Sequence, residues 1–291
     1  MNTRKHAYLI MAHNQWNLLD QLLSALDDPR NDIYLHIDKK VPSNHIPHFT
    51  LSNAGLFFVK RYNIVWGGTQ MMHCTISMLE QAAKGNYSYY HFISGTDFPI
   101  KSQDYIHTFL EEHKDQEFIS FNWSGIQRGI FMDRTKYYHF LINIIGKRNN
   151  TSLFFRLLAK AEDYSLLVQK KLGVNRINYD FYKGSSWFSI THKLSTDIVR
   201  SKKSIFKRYR FGANTDEVWL QTFVKEANAP YHLASSNLRH IKWIQGNPSP
   251  ETLTTKDWQD LQNSDCLFAR KFDYNEDKEI IALIKDQLLK F

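Results

Sequence analysis

An apolar run, an amphipathic segment and a second apolar run open the chain, and this order constrains the fold more than any other feature. Residues 6–13 are mostly apolar and predict a buried strand, whereas residues 15–26 carry tryptophan and leucines at helical spacing. Residues 32–38 alternate as a second strand. Strand, helix and strand in succession begin a parallel α/β sheet with right-handed crossovers. The two predicted strands end on the polar side chains His13 and Asp38.

Another predicted strand, residues 87–93, is followed by a tight turn that carries a single acid. The strand is rich in aromatic and β-branched residues and stops at Ser94-Gly95, and Pro99 prevents a simple helical start after it. Asp97 is therefore placed at the carboxyl end of a strand, where ligand crevices lie in open α/β sheets. A turn aspartate can equally cap its own backbone. The spacing alone leaves both interpretations open.

Two predicted helix starts carry further candidate groups. Residues 66–69 (Trp-Gly-Gly-Thr) break the chain before a predicted helix. Backbone N–H groups exposed there can receive a phosphate or sugar oxygen, although plain capping explains the same pattern. Residues 214–220 predict a second helix, with Thr215 as its cap and with Asp216 and Glu217 in the first turn, where the helix dipole favours negative charge. Capping alone is again the alternative.

The middle of the chain differs in composition from both ends. Residues 125–180 mix aromatic and aliphatic side chains with lysine and arginine, and we expect them to form a helical segment inserted into a single domain. The stretch 153–172 is basic and amphipathic. Such a helix can lie on an anionic membrane, but more often it packs into the protein and solvates its polar face. The sequence favours the packed helix.

The composition limits which kinds of partner and which cellular compartment are expected. The net charge of +8 favours an anionic partner, which is a nucleic acid, a nucleotide or an acidic membrane. Cys74 and Cys266 are the two cysteines of the sequence and form no disulfide framework, so a reducing compartment is expected. No stretch reaches the ~18 apolar residues of a spanning helix. We therefore expect a soluble protein, or one that lies on a membrane surface.

The common cofactor and metal motifs do not occur in the sequence. It has no G-x-G-x-x-G, Walker loop, H-E-x-x-H, cysteine zinc pattern or G-x-S-x-G, and no Asp-x-Asp pair of the kind that holds a metal in nucleotide-sugar transferases. Transfer of a sugar from a nucleotide diphosphate would then need a carboxylate to accept a proton and cations to neutralise the departing diphosphate. The sequence offers acids at turns or helix starts and bases late in the chain: Asp38, Asp97, Asp216 and Glu217, and Arg239, Lys242, Arg270 and Lys271.

Two other classes of function compete with sugar transfer. A non-catalytic carbohydrate-binding protein would stack sugars on tryptophans, for which Trp66, Trp123, Trp187, Trp219 and Trp243 are candidates. A nucleic-acid binder is suggested by charge alone. Since no recognised nucleic-acid motif occurs, we expect no nucleic-acid partner.

Taken in order, several short motifs resemble those of glycosyltransferase family 14, which includes the core 2 and I-branching β-1,6-N-acetylglucosaminyltransferases and the protein xylosyltransferases. The similarity runs over nearly the whole chain. The motifs are Tyr-Leu-Ile-Met-Ala-His (8–13), Leu-His-Ile-Asp (35–38), Trp-Gly-Gly (66–68), Ser-Gly-Thr-Asp-Phe-Pro-Ile (94–100), Gly-Ser-Ser-Trp-Phe (184–188), Asp-Glu-Val-Trp (216–219), Asn-Leu-Arg (237–239) and Leu-Phe-Ala-Arg-Lys-Phe-Asp (267–273).

This resemblance implies a GT-A-like (Rossmann-like) α/β domain over residues 1–291, with a mostly parallel central sheet. It divides the chain into a nucleotide-binding part (1–124), the inserted helical segment (125–180), where the family does not align, and an acceptor- and diphosphate-binding part (181–291). It also implies a UDP-sugar donor, inversion in a single displacement, and no metal or other cofactor.

Roles for individual residues follow from the same resemblance. Glu217 matches the catalytic base of the family. The remaining matches are Arg239, Lys271 and Arg270 at the diphosphate, His13 and Asp38 at the uridine, and Asp97, Trp66, Gly67, Ser185, Ser186, Trp187 and Asp216 around the donor sugar and acceptor. We expect GlcNAc as the sugar, with xylose as the alternative on the same scaffold.

Acceptor and location are expectations of the same kind. Animal members of the family have a membrane anchor, a stem and disulfides, which are not found in this chain. We therefore expect a bacterial, cytoplasmic protein with possible peripheral contact to the inner face of the membrane. Its acceptor would be a glycan or lipid-linked glycan in surface polysaccharide synthesis.

Overall fold

A computed structural model of the protein describes residues 4–121, 135–146, 152–176, 181–227, 230–244, 246–247 and 249–290. In these ranges the chain forms a sheet of seven strands, a second sheet of three strands, and helices packed against them. The strands are β1 (His6–Ala12), β2 (Asn31–Ile37), β3 (Gly55–Phe58), β4 (Tyr89–Ser94), β5 (Asp97–Pro99), β6 (Gln116–Ile119), β7 (Phe188–Thr191), β8 (His232–Leu233), β9 (Arg239–Ile241) and β10 (Phe268–Arg270).

The large sheet has the strand order β3-β2-β1-β4-β7-β6-β8. Strands β1 to β4 are parallel, β7 runs antiparallel to both of its neighbours, and β8 is parallel to β6. Strands from residues 1–124 and from residues 181–291 therefore share one sheet. This mostly parallel α/β arrangement confirms the predicted GT-A-like fold class.

The helices connect and cover the strands. In the described ranges they are α1 (Trp16–Ala25), α2 (Gln70–Ala82), α3 (Gln103–Glu112), α4 (Ile142–Ile145), α5 (Leu153–Lys171), α6 (His192–Tyr209), α7 (Trp219–Lys225), α8 (Trp258–Gln262) and α9 (Glu279–Gln287). None of the helices found there combines the length and apolar character needed to cross a bilayer.

The apolar run of β1 is explained by burial on both of its faces. Successive side chains of a strand point to opposite faces. Tyr8 and Ile10 therefore pack into the core with the leucines of α1, whereas Ala7 and Leu9 pack on the other side with α2 and α6. A strand covered on both faces reads as a continuous apolar run.

The small sheet joins the turn after β4 to the end of the chain. Strand β5 pairs antiparallel with β10, which pairs parallel with β9. This register sets Asp97 opposite Arg270 and Arg270 opposite Ile241. The predicted turn acid and a predicted late cation are thereby brought together.

Most predicted elements are confirmed near their expected bounds, and two differ. Thr215 does not cap a helix, because a 3₁₀ turn over Thr215–Glu217 starts from Asn214 in the left-handed conformation and no side chain caps it. The predicted helix over 153–172 forms as α5 and packs on the protein through one face, but several of its large apolar side chains are exposed on the other. The predicted insertion over 125–180 falls partly outside the described residues, as does Trp123.

Candidate active site

A pocket of about 360 Å³ opens at the carboxyl ends of β1 and β2. Ligands bind at this edge in open α/β sheets. Polar groups from four separate segments face it, together with an apolar floor. The lining residues are Met11, Ala12, His13, His36, Asp38, Lys40, Ile64, Val65, Trp66, Gly67, Gly68, Met71 and Asp216.

Asp38 directly follows β2 and is held in place by its own backbone and by Lys40. Its N–H donates to the carbonyl of Ala12 at 2.9 Å. Its carboxylate accepts the backbone N–H of Lys40 at 2.9 Å and lies 3.2 Å from the Lys40 ammonium. Arg61 donates to the carbonyls of Ile37 and Asp38. The Asp38 carboxylate can accept hydrogen bonds from a ligand, and the Lys40 ammonium can bind a negatively charged group.

His36 is a pocket residue to which sequence reasoning gave no role. It lies two residues before Asp38, on the same face of β2. Its Nε2 accepts the backbone N–H of Tyr62 at 2.9 Å, so the ring proton is on Nδ1. This atom is buried and has no hydrogen-bond partner among the described residues. Burial lowers the pKa of His36 to about 4, so the ring is neutral at pH 7.

The turn before α2 is bonded within the protein. Gly67 adopts a φ of 82°, which glycine permits at no steric cost. The N–H of Gly68 donates to Val65 O at 3.0 Å, and the N–H of Thr69 donates to Asn143 Oδ1 at 2.8 Å. These two N–H groups are therefore occupied within the protein, and Thr69 makes no side-chain cap to α2.

A backbone hydrogen bond links this turn to the one that carries the two acids. The N–H of Asn214 donates to Gly67 O at 2.8 Å. Asp216 reaches the pocket wall and accepts a hydrogen bond from Ser186 Oγ at 2.9 Å. The neighbouring Glu217 is 35% exposed, and its carboxylate lies 3.8 Å from Lys183 Nζ. Glu217 does not line the pocket itself, but it directly follows Asp216, which does.

The loop over residues 184–187 is packed tightly against the Glu217 turn. Gly184 donates its N–H to the carbonyl of Glu217 at 2.9 Å. A Cβ at Gly184 would lie 1.8 Å from the carbonyl oxygen of Ser120, so only glycine fits. Ser185 donates its N–H to Ser120 Oγ at 3.1 Å and accepts the N–H of Trp187 at 3.2 Å. The loop and the acid-bearing turn therefore form one unit.

Asp97 caps its turn and also holds a cation. It is fully buried, and it accepts the N–H of Ser94 at 3.0 Å and the hydroxyl of Ser94 at 2.6 Å. Arg270 Nε lies 3.3 Å from its Oδ1, and the guanidinium stacks 4.1 Å over Trp187. Burial lowers the pKa of Arg270, and the Asp97 charge opposes that change. Asp97 was expected near the donor sugar, but the structure places it beneath Arg270.

Arg239 lies deeper than Arg270 and is bonded on both terminal nitrogens. Nη1 donates to Ser189 Oγ and to the carbonyl of Asn237, and Nη2 donates to the carbonyls of Phe92 and Phe188. Burial lowers the pKa of Arg239 to about 9, so the group stays cationic at pH 7.

A line of buried polar groups continues from Arg239 through the large sheet. Ser189 Oγ lies 2.8 Å from His91 Nδ1, and His91 Nε2 lies 3.2 Å from His6 Nδ1. Burial lowers the pKa values of both histidines well below their ordinary range, so both rings are neutral. The imidazole rings supply hydrogen-bond partners there without adding charge.

The other late cations lie closer to the surface. Lys271 is half-buried, and its Nζ lies 3.4 Å from Ser249 Oγ. Lys242 Nζ lies 2.6 Å from Asp257 and 3.6 Å from Glu251, which makes it part of a local ion-pair cluster.

The structure thus brings the sequence candidates together in two groups. His13, Asp38, Trp66, Gly67 and Asp216 share the pocket. Asp97, Arg270 and Trp187 form a stacked cluster. The Ser186–Asp216 hydrogen bond, one residue from Trp187, connects the two groups. In the part of the chain that the structure describes, no three His, Cys, Asp or Glu side chains are grouped as metal ligands.

The fold and this site define a GT-A-like α/β protein with a polar pocket at the carboxyl edge of its sheet. Residues 6–266 match the family model described as Core-2/I-Branching enzyme. The chain belongs to this family of glycosyltransferases.

Curated relatives are distant but similar over nearly the whole chain. Xylosyltransferase 2 of Rattus norvegicus is 21% identical over 309 residues, which cover 96% of this chain and 33% of that protein. Beta-glucuronosyltransferase GlcAT14B of Arabidopsis thaliana is 22% identical over 314 residues, which cover 97% of this chain and 66% of the relative. The chain therefore spans about a third of the length of the first of these relatives and about two thirds of the second.

Proposed function

We propose that this protein transfers a sugar from a UDP-sugar to a hydroxyl group of a glycan, with inversion at the anomeric carbon. The observation that carries the proposal is the pocket, which has Asp38 and His13 on one wall and the Asp216–Glu217 turn beside the other. Family membership and the names of the relatives support sugar transfer. A neutral donor ring at His36 and a carboxylate at Asp38 suit the polar edge of a nucleotide base.

The proposed reaction is a single displacement with Glu217 as general base. The acceptor oxygen forms a bond to the anomeric carbon while the bond from that carbon to the phosphate oxygen breaks. The electron pair of the broken bond leaves on UDP, and the hydroxyl proton moves to Glu217. Lys183, 3.8 Å from that carboxylate, would orient it.

Negative charge grows on the departing diphosphate and needs cations nearby. Arg270 and Lys271 are adjacent in sequence. Arg239 lies on the neighbouring strand β9 and is held by four hydrogen bonds to the protein, so it would act through its charge. We assign these three residues to the diphosphate. Asp97 would then act by fixing Arg270 against Trp187. Because the sequence has no Asp-x-Asp pair, we also propose that the transfer needs no divalent ion.

The identity of the sugar is part of the proposal. The sequence resemblance favours GlcNAc, whereas the relatives are named for xylose and glucuronic acid. A screen that measures UDP release from UDP-GlcNAc, UDP-xylose and UDP-glucuronic acid separates the three. Turnover of one donor with excess EDTA present supports both the reaction and its independence of metal, whereas release from none of them argues against sugar transfer.

The role of Glu217 is tested by Glu217→Gln. Loss of a positioned general base costs roughly 10²–10⁴-fold in rate, while the shape of the side chain is kept. We therefore expect that loss in turnover with an unchanged thermal shift on adding UDP, since a ligand stabilises by mass action. Glu80→Gln is the matched control, because Glu80 is 41% exposed and also pairs with a lysine, Lys202. Normal turnover by Glu217→Gln would show that the base lies elsewhere.

We also propose a cytoplasmic location, with a glycan or lipid-linked glycan of bacterial surface polysaccharide synthesis as acceptor. Cys74 and Cys266 are both free thiols, and free thiols are usual in a reducing compartment. Fractionation of cells that express the protein, followed by immunoblotting, tests the location. Recovery in an oxidising compartment would contradict it.

A further inference from the structure

Helix α5 differs from an ordinary surface helix because its outer face carries large apolar side chains. In an ordinary surface helix the apolar stripe faces the protein and the polar side chains face water. In α5 the two fully buried side chains are Glu162 and Gln169. Phe155, Leu158 and Leu166 are half-buried, but other large apolar side chains are exposed. Leu153 is 70% exposed, Leu157 56%, Tyr164 69% and Leu167 49%.

Specific hydrogen bonds fix this orientation. Glu162 accepts the backbone N–H of Leu141 at 3.0 Å and lies 3.3 Å from His139 Nδ1. Gln169 accepts the N–H of Tyr138 at 2.8 Å and donates to its carbonyl at 2.9 Å. The two anchors are seven residues apart, or about two turns, so they lie on one face of the helix. Rotation of α5 to bury its leucines would leave these buried polar groups without partners, which costs more than it gains.

The outer face carries positive charge as well as apolar surface. Arg156, Lys160 and Lys171 are exposed on the same side as the leucines, and Asp163 is the one exposed acid within α5. Apolar side chains and lysines together on an exposed helix face match the boundary between lipid headgroups and acyl chains. Negative lipids attract each such cation by about 1 kcal/mol.

We propose that the outer face of α5 docks on an anionic lipid bilayer. The positive charge on that face favours an anionic bilayer over an uncharged partner surface. The net charge of +8 for the whole chain adds to the attraction. The proposal does not depend on the proposed sugar transfer, because lipid binding requires neither donor nor acceptor.

Docking through α5 would bring the pocket close to the membrane. Helix α4 packs on α5, and its Asn143 accepts the N–H of Thr69 at the turn that lines the pocket. Ile144 on α4 is 54% exposed and Trp66 at the pocket rim is 53% exposed. These side chains extend the apolar surface from α5 toward the site.

Co-sedimentation of the full chain with lipid vesicles tests the proposal. We expect binding to vesicles of phosphatidylcholine mixed with phosphatidylglycerol, and little binding to phosphatidylcholine alone. The double variant Leu157→Ser/Leu167→Ser should bind the anionic vesicles at least tenfold more weakly, because it removes two exposed leucines that docking would bury in the bilayer. Lys160→Gln and Lys171→Gln should each weaken binding about fivefold.

Two controls separate docking from general effects of charge and hydrophobicity. Phe58→Ser removes an apolar side chain that is 58% exposed on the edge strand β3, and Lys203→Gln removes an exposed charge on α6. Both should bind as the wild type does, and all variants should keep the wild-type melting temperature.

Three results would overturn the proposal. The first is that the wild type does not bind anionic vesicles. The second is that the leucine variants bind as tightly as the wild type. The third is that the wild type is a dimer by light scattering without lipid and that Leu157→Ser/Leu167→Ser makes it a monomer, since the face would then belong to a second copy of the chain.

Discussion

Glu117 is a buried carboxyl group whose protonation should make the stability of this protein depend on pH. It lies in β6 and is 2% exposed. It accepts the backbone N–H of Thr191 at 2.9 Å and the hydroxyl of Thr191 at 2.6 Å. Burial raises the pKa of Glu117 from its ordinary value of 4.5 to about 7, although the two Thr191 hydrogen bonds oppose that change.

The sign of the effect follows from proton linkage. Because the pKa is higher in the folded protein than in the unfolded chain, the folded protein retains this proton up to higher pH. The resulting stabilisation is fully present below pH 4.5 and is lost as the pH rises through about 7. A difference between 4.5 and about 7 corresponds to about 3 kcal/mol at 1.36 kcal/mol per pH unit.

Glu117→Gln removes the titration and keeps the shape. The amide oxygen can still accept the Thr191 N–H, and the amide nitrogen can donate to the Thr191 hydroxyl. Urea unfolding of both proteins from pH 4.5 to pH 8 is the assay. We expect the variant to gain stability over the wild type as the pH rises, by about 3 kcal/mol at pH 8. Glu112→Gln, at an exposed position on α3, is the control and should show no such trend. A difference that stays flat across this range would refute the reasoning.

Three further substitutions are tested by urea unfolding, two at contacts around the site and one, Gly173→Ala, as a comparison. Gly184→Ala should cost about 3 kcal/mol, because its Cβ would overlap the carbonyl of Ser120. Gly173→Ala should cost about 1 kcal/mol from its positive φ alone, since no atom lies within 4 Å, and equal losses at the two positions would contradict this. Asp97→Asn should cost about 3 kcal/mol, because it leaves Arg270 buried without its carboxylate; a loss below about 1 kcal/mol would show that the pair contributes little.

Strands β1, β2 and β4 of the central sheet could be predicted because each has a local signature. The apolar run of β1, the leucine spacing of α1 and the alternation of β2 specify their structures without distant information. Strand β9 of the small sheet spans only Arg239–Ile241. A strand of three residues is limited by the length of its partner β10, and that limit is not encoded locally.

The orientation of α5 could not be predicted for a different reason. Hydrophobic spacing identifies an apolar face but does not say whether protein or another surface covers it. The answer depends on Glu162 and Gln169, whose partners Leu141 and Tyr138 lie 21 and 31 residues earlier in the chain. Two polar residues at that spacing give no signal without knowledge of their partners.

The residues of the candidate site could also be predicted only in part from the sequence. The family motifs identified Asp38, Trp66 and Asp216, which all line the pocket. They gave no role to His36, although its place two residues before Asp38 is a signal that could have been used. Lys183 was also missed, because its proximity to Glu217 depends on the packing of two loops.

The buried polar line from Arg239 through Ser189 and His91 to His6 has a consequence for how the protein can evolve. Each member satisfies a neighbour that has no access to water. An apolar replacement at one position would leave the next one unsatisfied, whereas replacing neighbouring members together can be nearly neutral. Homologous sequences that keep Arg239 should therefore change at Ser189, His91 and His6 as a set, even though these positions are far apart in sequence.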